Sequence, residues 1–184
     1  LGARGIASIR VDFRGWGESG GGMENSTVTG MVEDAAVAYE YLASQDFVDV
    51  SQMGVLGFSL GGRIAIVTAA QNLDWYHSMA LWSTGGNIDP IAFQGQEAYD
   101  TAQAEGQVTV DLGFREATLG SGFFDSLTAH DVEVEFPKYT GSLLIVAGAD
   151  DPSPAEYLTW YLENSSAELR AAYLVEGGDH IYQV

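Results

Sequence analysis

The sequence predicts an α/β fold in which a mostly parallel sheet is covered by helices on both faces. Short apolar segments typical of buried strands alternate with segments of helical spacing along much of the 184 residues. Hydrophobic residues make up 46% of the chain, which is typical of a globular protein with a substantial core. We therefore expect one domain over residues 1–184.

The N-terminal half supplies strands and helices in turn. Strand patterns lie at Gly5–Phe13, Met53–Gly57 and Met79–Ser83. Apolar residues recur with helical spacing from Val28 to Leu42, and a second helix is predicted over Gly61–Ala70. The residues before the first helix offer N-cap side chains (Asn25, Ser26 and Thr27).

The C-terminal half resumes the pattern after a break. Residues 85–140 are rich in glycine and aspartate, and we expect an irregular insertion there. A strand at Leu143–Gly148, a helix at Pro154–Leu162 with proline in its first turn, and a strand at Arg170–Gly178 follow. The predicted core is thus formed by residues 1–84 and 141–184.

Charge and composition exclude several classes of function. The chain has 26 acidic and seven basic residues, and its net charge of −19 disfavours binding to nucleic acid or to anionic membranes. An ordinary acidic surface and adaptation to high salt both fit this composition. No apolar run approaches the roughly 20 residues of a membrane helix. We expect a cytoplasmic location, although a chain that begins at Leu1 leaves a removed N-terminal segment open.

The chain carries no cysteine and three widely separated histidines. Disulfides, thiolate metal sites and a cysteine nucleophile are therefore excluded, and a metal site built on histidines is disfavoured. We expect no metal and no cofactor.

The segment VLGFSLGGRIA (Val55–Ala65) places a serine between glycines where a strand turns into a helix. Gly-x-Ser-x-Gly in this setting is typical of a nucleophile elbow, in which a sharp turn exposes Ser59 above the carboxyl edge of the sheet. The helix behind it directs N–H groups at the same point, so the Leu60 N–H is a candidate oxyanion donor. A glycine-rich turn with an incidental serine is the structural alternative.

A serine nucleophile needs a base, and only one histidine is suitably placed. His77 precedes a strand and so belongs to the amino edge of the sheet, whereas His130 falls in the insertion. His180 follows the last strand, at the carboxyl edge where Ser59 is expected.

The histidine in turn needs a carboxylate to fix its tautomer. Asp150 and Asp151 both follow a predicted strand at its carboxyl end, and from this placement either could serve. The order serine, aspartate, histidine along the chain is the triad order of one large class of hydrolases.

Four segments, DFRGWGESGG, GFSLGG, GADD and GGDH, resemble signatures of the serine α/β-hydrolase family, most closely its cinnamoyl (feruloyl) carboxylesterases and related serine aminopeptidase-like hydrolases. The resemblance implies an α/β-hydrolase fold, truncated at both ends, with a small cap. It places the nucleophile on Ser59, the base on His180 and, counted from Gly148, the acid on Asp151.

The resemblance also implies that the insertion at residues 85–140 is a cap that shapes an acyl pocket. Phe58, Phe123 and Phe124 are candidate substrate-binding residues, and Phe114 is a further candidate. For the three phenylalanines of the insertion, packing inside the cap is the favoured role.

The segment GWGESG (Gly15–Gly20) matches the Gly-x-Gly-x-x-Gly pattern of dinucleotide-binding loops. A dinucleotide site needs a helix that begins at these glycines, whereas GGMENS separates them from the first predicted helix. The resemblance implies instead a structural loop that borders the active site and is braced by Asp12 and Arg14.

The chain also departs from the family pattern. The strands that normally precede Gly5–Phe13, a His-Gly motif that supplies the second oxyanion donor, and a final helix after His180 have no counterpart in the sequence. The missing third strand would leave a gap beside Met53–Gly57. We expect either Gly5–Phe13 to move into this gap or, as the favoured outcome, a second copy of the chain to cover it in a homo-oligomer.

These observations predict a serine hydrolase that cleaves small carboxylic esters through an acyl-enzyme. A peptidase or amidase with the same triad is one alternative. A catalytically inactive remnant that serves as an interaction module is another.

Overall fold

The structure is a computed structural model that describes residues 1–113 and 115–183. The strands are β1 (Gly54–Phe58), β2 (Ser78–Trp82), β3 (Gln107–Asp111), β4 (Glu116–Gly120), β5 (Ser142–Gly148) and β6 (Arg170–Val175). The α-helices are α1 (Val28–Ala43), α2 (Leu60–Gln71), α3 (Pro90–Gln94), α4 (Gln96–Glu105), α5 (Ser121–Ser126), α6 (Val132–Glu135) and α7 (Pro152–Asn164). Within the two described ranges, no helix combines the length and apolarity needed to cross a bilayer.

Most predicted elements lie within a few residues of the observed ones. Helix α1 begins after Thr27, whose hydroxyl oxygen accepts a hydrogen bond from the Gly30 N–H at 3.0 Å and caps the first turn. Helix α7 begins at Pro152 and has a second proline, Pro154, in its first turn. The predictions for α1, β1, α2, β2, β5, α7 and β6 are therefore confirmed.

The segment Gly5–Phe13 is an exception, because the prediction of a strand there is wrong. Residues 6–13 have no regular secondary structure, and Ile6, Ile9 and Val11 are exposed. A strand needs a neighbour to complete its hydrogen bonds, and among the described residues no strand pairs with this segment. It also does not occupy the place beside β1, which pairs only with β2 in the described part of the chain.

The insertion is more regular than predicted. It contains α3, α4, a β3–β4 hairpin, α5 and α6. These elements are too short for hydrophobic periodicity to reveal them, and local capping defines their ends. The Asp89 carboxylate, for example, accepts hydrogen bonds from Ile91 and Ala92 N–H groups at 2.8 and 2.9 Å at the start of α3.

The chain divides into two compact units by its internal contacts. The first unit comprises Leu1–Val48 and Ile88–His130, and the second comprises Asp49–Asn87 and Asp131–Val184. The first 48 residues thus group with the insertion rather than with the sheet. One cause is a buried hydrogen bond of 2.8 Å from the Val28 N–H to the Ser126 hydroxyl oxygen.

The sheet of the second unit has the strand order β1-β2-β5-β6, and all three pairings are parallel. This confirms the mostly parallel sheet, with its connecting helices, that the sequence predicted. Since the strands are parallel, the loops that follow β1, β5 and β6 all leave from the same edge.

The two faces of this sheet differ in burial. On one face, beside α2 and α7, the side chains of β2 and β5 are buried (Met79, Leu81, Leu143, Ile145 and Ala147). On the other face, a row that runs across the paired strands through Phe58, Trp82, Val146 and Tyr173 is partly or largely exposed. Alternation of side chains along each strand therefore separates a buried apolar row from a partly exposed one.

The glycine-rich loop of the first unit is braced as expected. The Asp12 carboxylate accepts a hydrogen bond from the Glu18 N–H at 2.9 Å, and Arg14 donates from Nη2 to the Asp34 carboxylate at 2.6 Å. Because α1 begins only at Val28, these glycines do not form the N-terminus of a helix, which a dinucleotide site requires.

Candidate active site

Ser59 lies at the turn between β1 and α2, in a backbone conformation that serine rarely adopts. Its φ is 54° and its ψ is −123°. The Ser59 N–H donates to the Trp82 carbonyl at 2.8 Å, so the strand ladder continues up to the strained residue. Strain of this kind at a strand-to-helix turn is typical of a nucleophile elbow, because it exposes the hydroxyl at the carboxyl edge of the sheet.

Close packing against neighbouring atoms explains Gly57 and Gly62, but not Gly61, the second glycine of the motif. A Cβ atom on Gly57 would overlap the Gly61 carbonyl oxygen and the Gly62 Cα, and one on Gly62 would overlap the Thr84 side chain. A Cβ atom on Gly61 would meet no atom within 4 Å. The tight turn therefore requires small residues at positions 57 and 62 and leaves space at position 61.

Gly57→Ala is expected to destabilise the protein by about 1–3 kcal/mol, because α2 must shift to admit the methyl group. Gly61→Ala is the matched control and is expected to raise the free energy of unfolding by up to about 1 kcal/mol, because alanine is favoured over glycine in a helix. Urea denaturation of the two variants measures both effects. Equal stability of the two variants would contradict this account of the turn.

Ser59, His180 and Asp151 form a continuous chain of hydrogen bonds within the second unit. The distance from His180 Nε2 to Ser59 Oγ is 2.9 Å, and that from His180 Nδ1 to Asp151 Oδ2 is 2.6 Å. The His180 side chain is 43% exposed and that of Asp151 is 11% exposed. A substrate can thus reach the histidine, while the carboxylate behind it is shielded from water.

Glycines bring the loops after β5 and β6 together. A Cβ atom on Gly148 would overlap the carbonyl oxygen of Gly178, so only glycine permits this approach. The Asp150 N–H donates to the same carbonyl at 2.9 Å, and the Asp150 side chain is exposed. Asp151, the third residue after Gly148, is the aspartate that faces His180.

Leu60 and Phe58 flank Ser59 in the sequence and also lie at the site. Leu60 is the first residue of α2, where a backbone N–H has no carbonyl partner inside its own helix. The Phe58 ring is tilted against the His180 imidazole with 5.2 Å between ring centroids, and Phe58 is 40% exposed. Phe58 therefore offers an aromatic surface beside the histidine.

Phe123 and Phe124 are packed inside the first unit. Phe123 is 2% exposed and Phe124 is fully buried, and both contact Phe93. Their burial favours packing inside the cap over a role in binding substrate. Phe114 lies outside the described residues.

The other two histidines do not join the site. The His77 N–H donates to the Met53 carbonyl just before β2 begins, which places this residue at the amino edge of the sheet. His130 lies in the first unit, with its Nε2 at 3.2 Å from the Thr29 hydroxyl.

Sequence reasoning missed a buried arginine in the helix that follows Ser59. Arg63, one turn along α2 from Ser59, is only 2% exposed, and burial lowers the pKa of its guanidinium. Tyr161 and Asp131 interact with it electrostatically and oppose this shift. An arginine among the apolar residues of GGRIAIVTAA was the available signal, because a buried charge needs partners.

Solved structures with the same fold are similar to this chain over most of its length. Est1E from Butyrivibrio proteoclasticus with bound ferulic acid matches with a TM-score of 0.73 and 22% identity, over 94% of this chain and 68% of that one. The monoacylglycerol lipase of Paleococcus ferrophilus matches with a TM-score of 0.72 and 16% identity, over 92% of this chain and 73% of that one. The α/β-hydrolase fold predicted from the sequence is therefore confirmed.

A curated relative matches over a much shorter stretch. The multifunctional-autoprocessing repeats-in-toxin of Vibrio cholerae is 37% identical over 62 residues, which are 34% of this chain. The chain spans only 1% of the length of that toxin.

The family comparison covers the turn at Ser59 together with most of the first unit. Residues 1–126 match the family described as serine aminopeptidase, S33, and this range includes Ser59 and the first half of the sheet. The chain therefore belongs to the serine aminopeptidase S33 family of α/β-hydrolases.

Proposed function

We propose that this chain hydrolyses carboxylic esters through an acyl-enzyme on Ser59. The observation that carries the proposal is the uninterrupted chain of hydrogen bonds from Ser59 Oγ through His180 to Asp151, with lengths of 2.9 and 2.6 Å. Serine is activated as a nucleophile when its hydroxyl is hydrogen-bonded to an imidazole that is itself hydrogen-bonded to a carboxylate.

In the first half of the reaction, Ser59 Oγ attacks the ester carbonyl carbon and its proton passes to His180 Nε2. The carbonyl oxygen becomes an oxyanion, to which the Leu60 N–H donates a hydrogen bond. The bond between the carbonyl carbon and the alkoxy oxygen then breaks. The alcohol departs with the proton from His180, and the acyl group remains on Ser59.

In the second half, a water molecule attacks the acyl carbon while His180 Nε2 accepts its proton. The bond to Ser59 Oγ breaks, Ser59 recovers a proton from His180, and the carboxylic acid leaves. Asp151 holds the Nδ1–H of His180 and stabilises the imidazolium at both stages. No other group needs to enter the reaction for its atoms to balance.

The site favours a small ester whose acyl or alcohol part contacts an aromatic surface. Phe58 provides that surface beside His180. One similar structure holds bound ferulic acid and another is a monoacylglycerol lipase, whereas the matching family is that of the serine aminopeptidases. Amide hydrolysis by the same residues is therefore the second candidate.

We also propose that the chain self-associates beside β1. This strand pairs on one side only within the described residues, and Leu56 and Phe58 on it are 55% and 40% exposed. An open strand edge with apolar side chains favours pairing with another chain. A second copy could then supply a further oxyanion donor.

Paired p-nitrophenyl butyrate and butyric p-nitroanilide, which share one acyl group, test the reaction type. We expect measurable turnover of the ester and little or none of the anilide. Light scattering on the same micromolar samples tests self-association, with a dimer or larger species expected.

Each outcome discriminates between the candidates. Preferred turnover of the anilide would indicate an amidase. Absence of turnover of both substrates, with no labelling by a fluorophosphonate, would indicate an inactive interaction module. A clean monomer with robust ester turnover would overturn the self-association proposal and leave the esterase proposal intact.

A further inference from the structure

The loop that carries His180 is tied to the sheet by a tyrosine two residues later. The Tyr182 hydroxyl donates to the Val146 carbonyl at 3.1 Å and lies 3.1 Å from the Ser83 hydroxyl oxygen. The Val146 carbonyl also accepts the Ser83 N–H at 2.9 Å. One carbonyl at the end of β5 thus joins the end of β2 to the histidine loop.

Backbone strain is concentrated at Ser59 and at the two residues whose hydroxyls meet, Ser83 and Tyr182. Among the described residues, the non-glycine residues with positive φ are Ser59, Ser83 and Tyr182. Ser59 is the proposed nucleophile, and the other two contact each other through their hydroxyls. Such conformations persist only where the surrounding contacts stabilise them. The hydrogen bonds of Tyr182 therefore stabilise the strained backbone of this residue.

The loop is held on both sides of His180. Before it, the Asp179 carboxylate accepts the N–H groups of Ile181 and Gln183 at 3.0 and 2.8 Å. After it, the Tyr182 ring packs edge-on against Trp82, with 6.5 Å between ring centroids. The Trp82 carbonyl in turn accepts the Ser59 N–H, so the same strand end supports both Ser59 and the tyrosine.

We propose that Tyr182 is a positioning residue that keeps His180 Nε2 within hydrogen-bonding distance of Ser59. Its hydroxyl, bonded to Val146 and Ser83, fixes the turn that carries the imidazole. The inference rests on the proposed function of Ser59 and His180 and adds a residue that touches neither the substrate nor the reacting atoms.

Tyr182→Phe tests this role because it removes the hydroxyl and retains the ring against Trp82. We expect kcat for p-nitrophenyl butyrate to fall roughly tenfold or more with little change in KM, because a displaced imidazole slows proton transfer. The rate of fluorophosphonate labelling at Ser59 should fall by the same factor. Tyr173→Phe is the matched control, since Tyr173 is 65% exposed on β6, and it should behave as wild type.

Ser83→Ala provides a second route to the same contact. If the Ser83 and Tyr182 hydroxyls act through one network, the double variant should lose no more activity than Tyr182→Phe alone. Additive losses would show that the two hydroxyls act independently and would overturn the single network. Unchanged kcat in Tyr182→Phe, or an equal loss in Tyr173→Phe, would overturn the proposal itself.

An NMR measurement separates this inference from the proposed function. The side-chain Nδ1–H signal of His180, assigned with a His180→Gln variant, should broaden or shift in Tyr182→Phe and stay unchanged in Tyr173→Phe. If wild-type Ser59 is not labelled but the His180 signal changes in Tyr182→Phe, the esterase proposal fails and the positioning role of Tyr182 is supported. If Ser59 is labelled and the signal does not change, only the positioning role of Tyr182 is rejected.

Discussion

Ser59→Ala is expected to lower kcat for ester hydrolysis by about 10⁴-fold to 10⁶-fold, the scale of triad knockouts in other serine hydrolases. The variant removes the oxygen that forms the acyl-enzyme, so only direct attack by water on the bound ester remains. The fold should persist, because the backbone N–H of residue 59 still donates to the Trp82 carbonyl and alanine is close in size to serine. Stopped assays with high enzyme concentration and circular dichroism measure the two properties.

Ser78→Ala is the matched control for this variant. Ser78 begins β2 at the amino edge of the sheet, opposite the edge where Ser59 lies, so its loss should leave turnover unchanged. Fluorophosphonate labelling followed by peptide mapping should find the adduct on Ser59. An adduct on another serine, or substantial turnover by Ser59→Ala, would overturn the assignment of the nucleophile.

Asp151→Asn is expected to lower kcat by about 10⁴-fold, because the amide stabilises the wrong tautomer of the imidazole. The Asp151 Oδ2 atom accepts the His180 Nδ1–H across 2.6 Å. An asparagine that presents its NH₂ group there forces the proton onto Nε2, and Nε2 can then no longer accept the Ser59 proton. Steady-state kinetics with p-nitrophenyl butyrate measure the loss.

Asp150→Asn offers an unusually close control, because the two aspartates are adjacent in the sequence. The Asp150 side chain is exposed, and the contact that this residue makes with Gly178 uses its backbone N–H. We expect this variant to retain nearly all of the activity. Comparable losses in the two variants would mean that the acid cannot be assigned to Asp151 alone.

Residues at strand ends were the easiest to predict from the sequence. Ser59, Asp151 and His180 each follow an apolar segment, and parallel strands bring such positions to one edge whatever the details of packing. The choice of Asp151 depended on a family spacing counted from Gly148. The structure supplies a physical reason for that glycine, because a side chain there would overlap the loop of His180.

Features that depend on distant partners were harder to predict. The alternating residues of Gly5–Phe13 are typical of a strand, but a strand forms only when a neighbour pairs with it. Tyr182 and Ser83 are ordinary residues in the sequence, and only the fold brings their hydroxyls together. Phe123 and Phe124 are aromatic in either role, so only their burial distinguishes packing from substrate binding.

The interleaving of the two compact units has a consequence for how the chain folds during synthesis. Each unit consists of two separate stretches, so the ribosome delivers the first stretch of both units before the second stretch of either. Strand β2 pairs with β5, in which Ser142 is the partner of Ser78. The edge of β2 that pairs with β5 therefore stays open while Ile88–His130 is synthesised. Parallel pairing over such a sequence separation forms slowly, and open strand edges favour aggregation in the meantime. We expect nascent chains of intermediate length to be the species that depends most on chaperones.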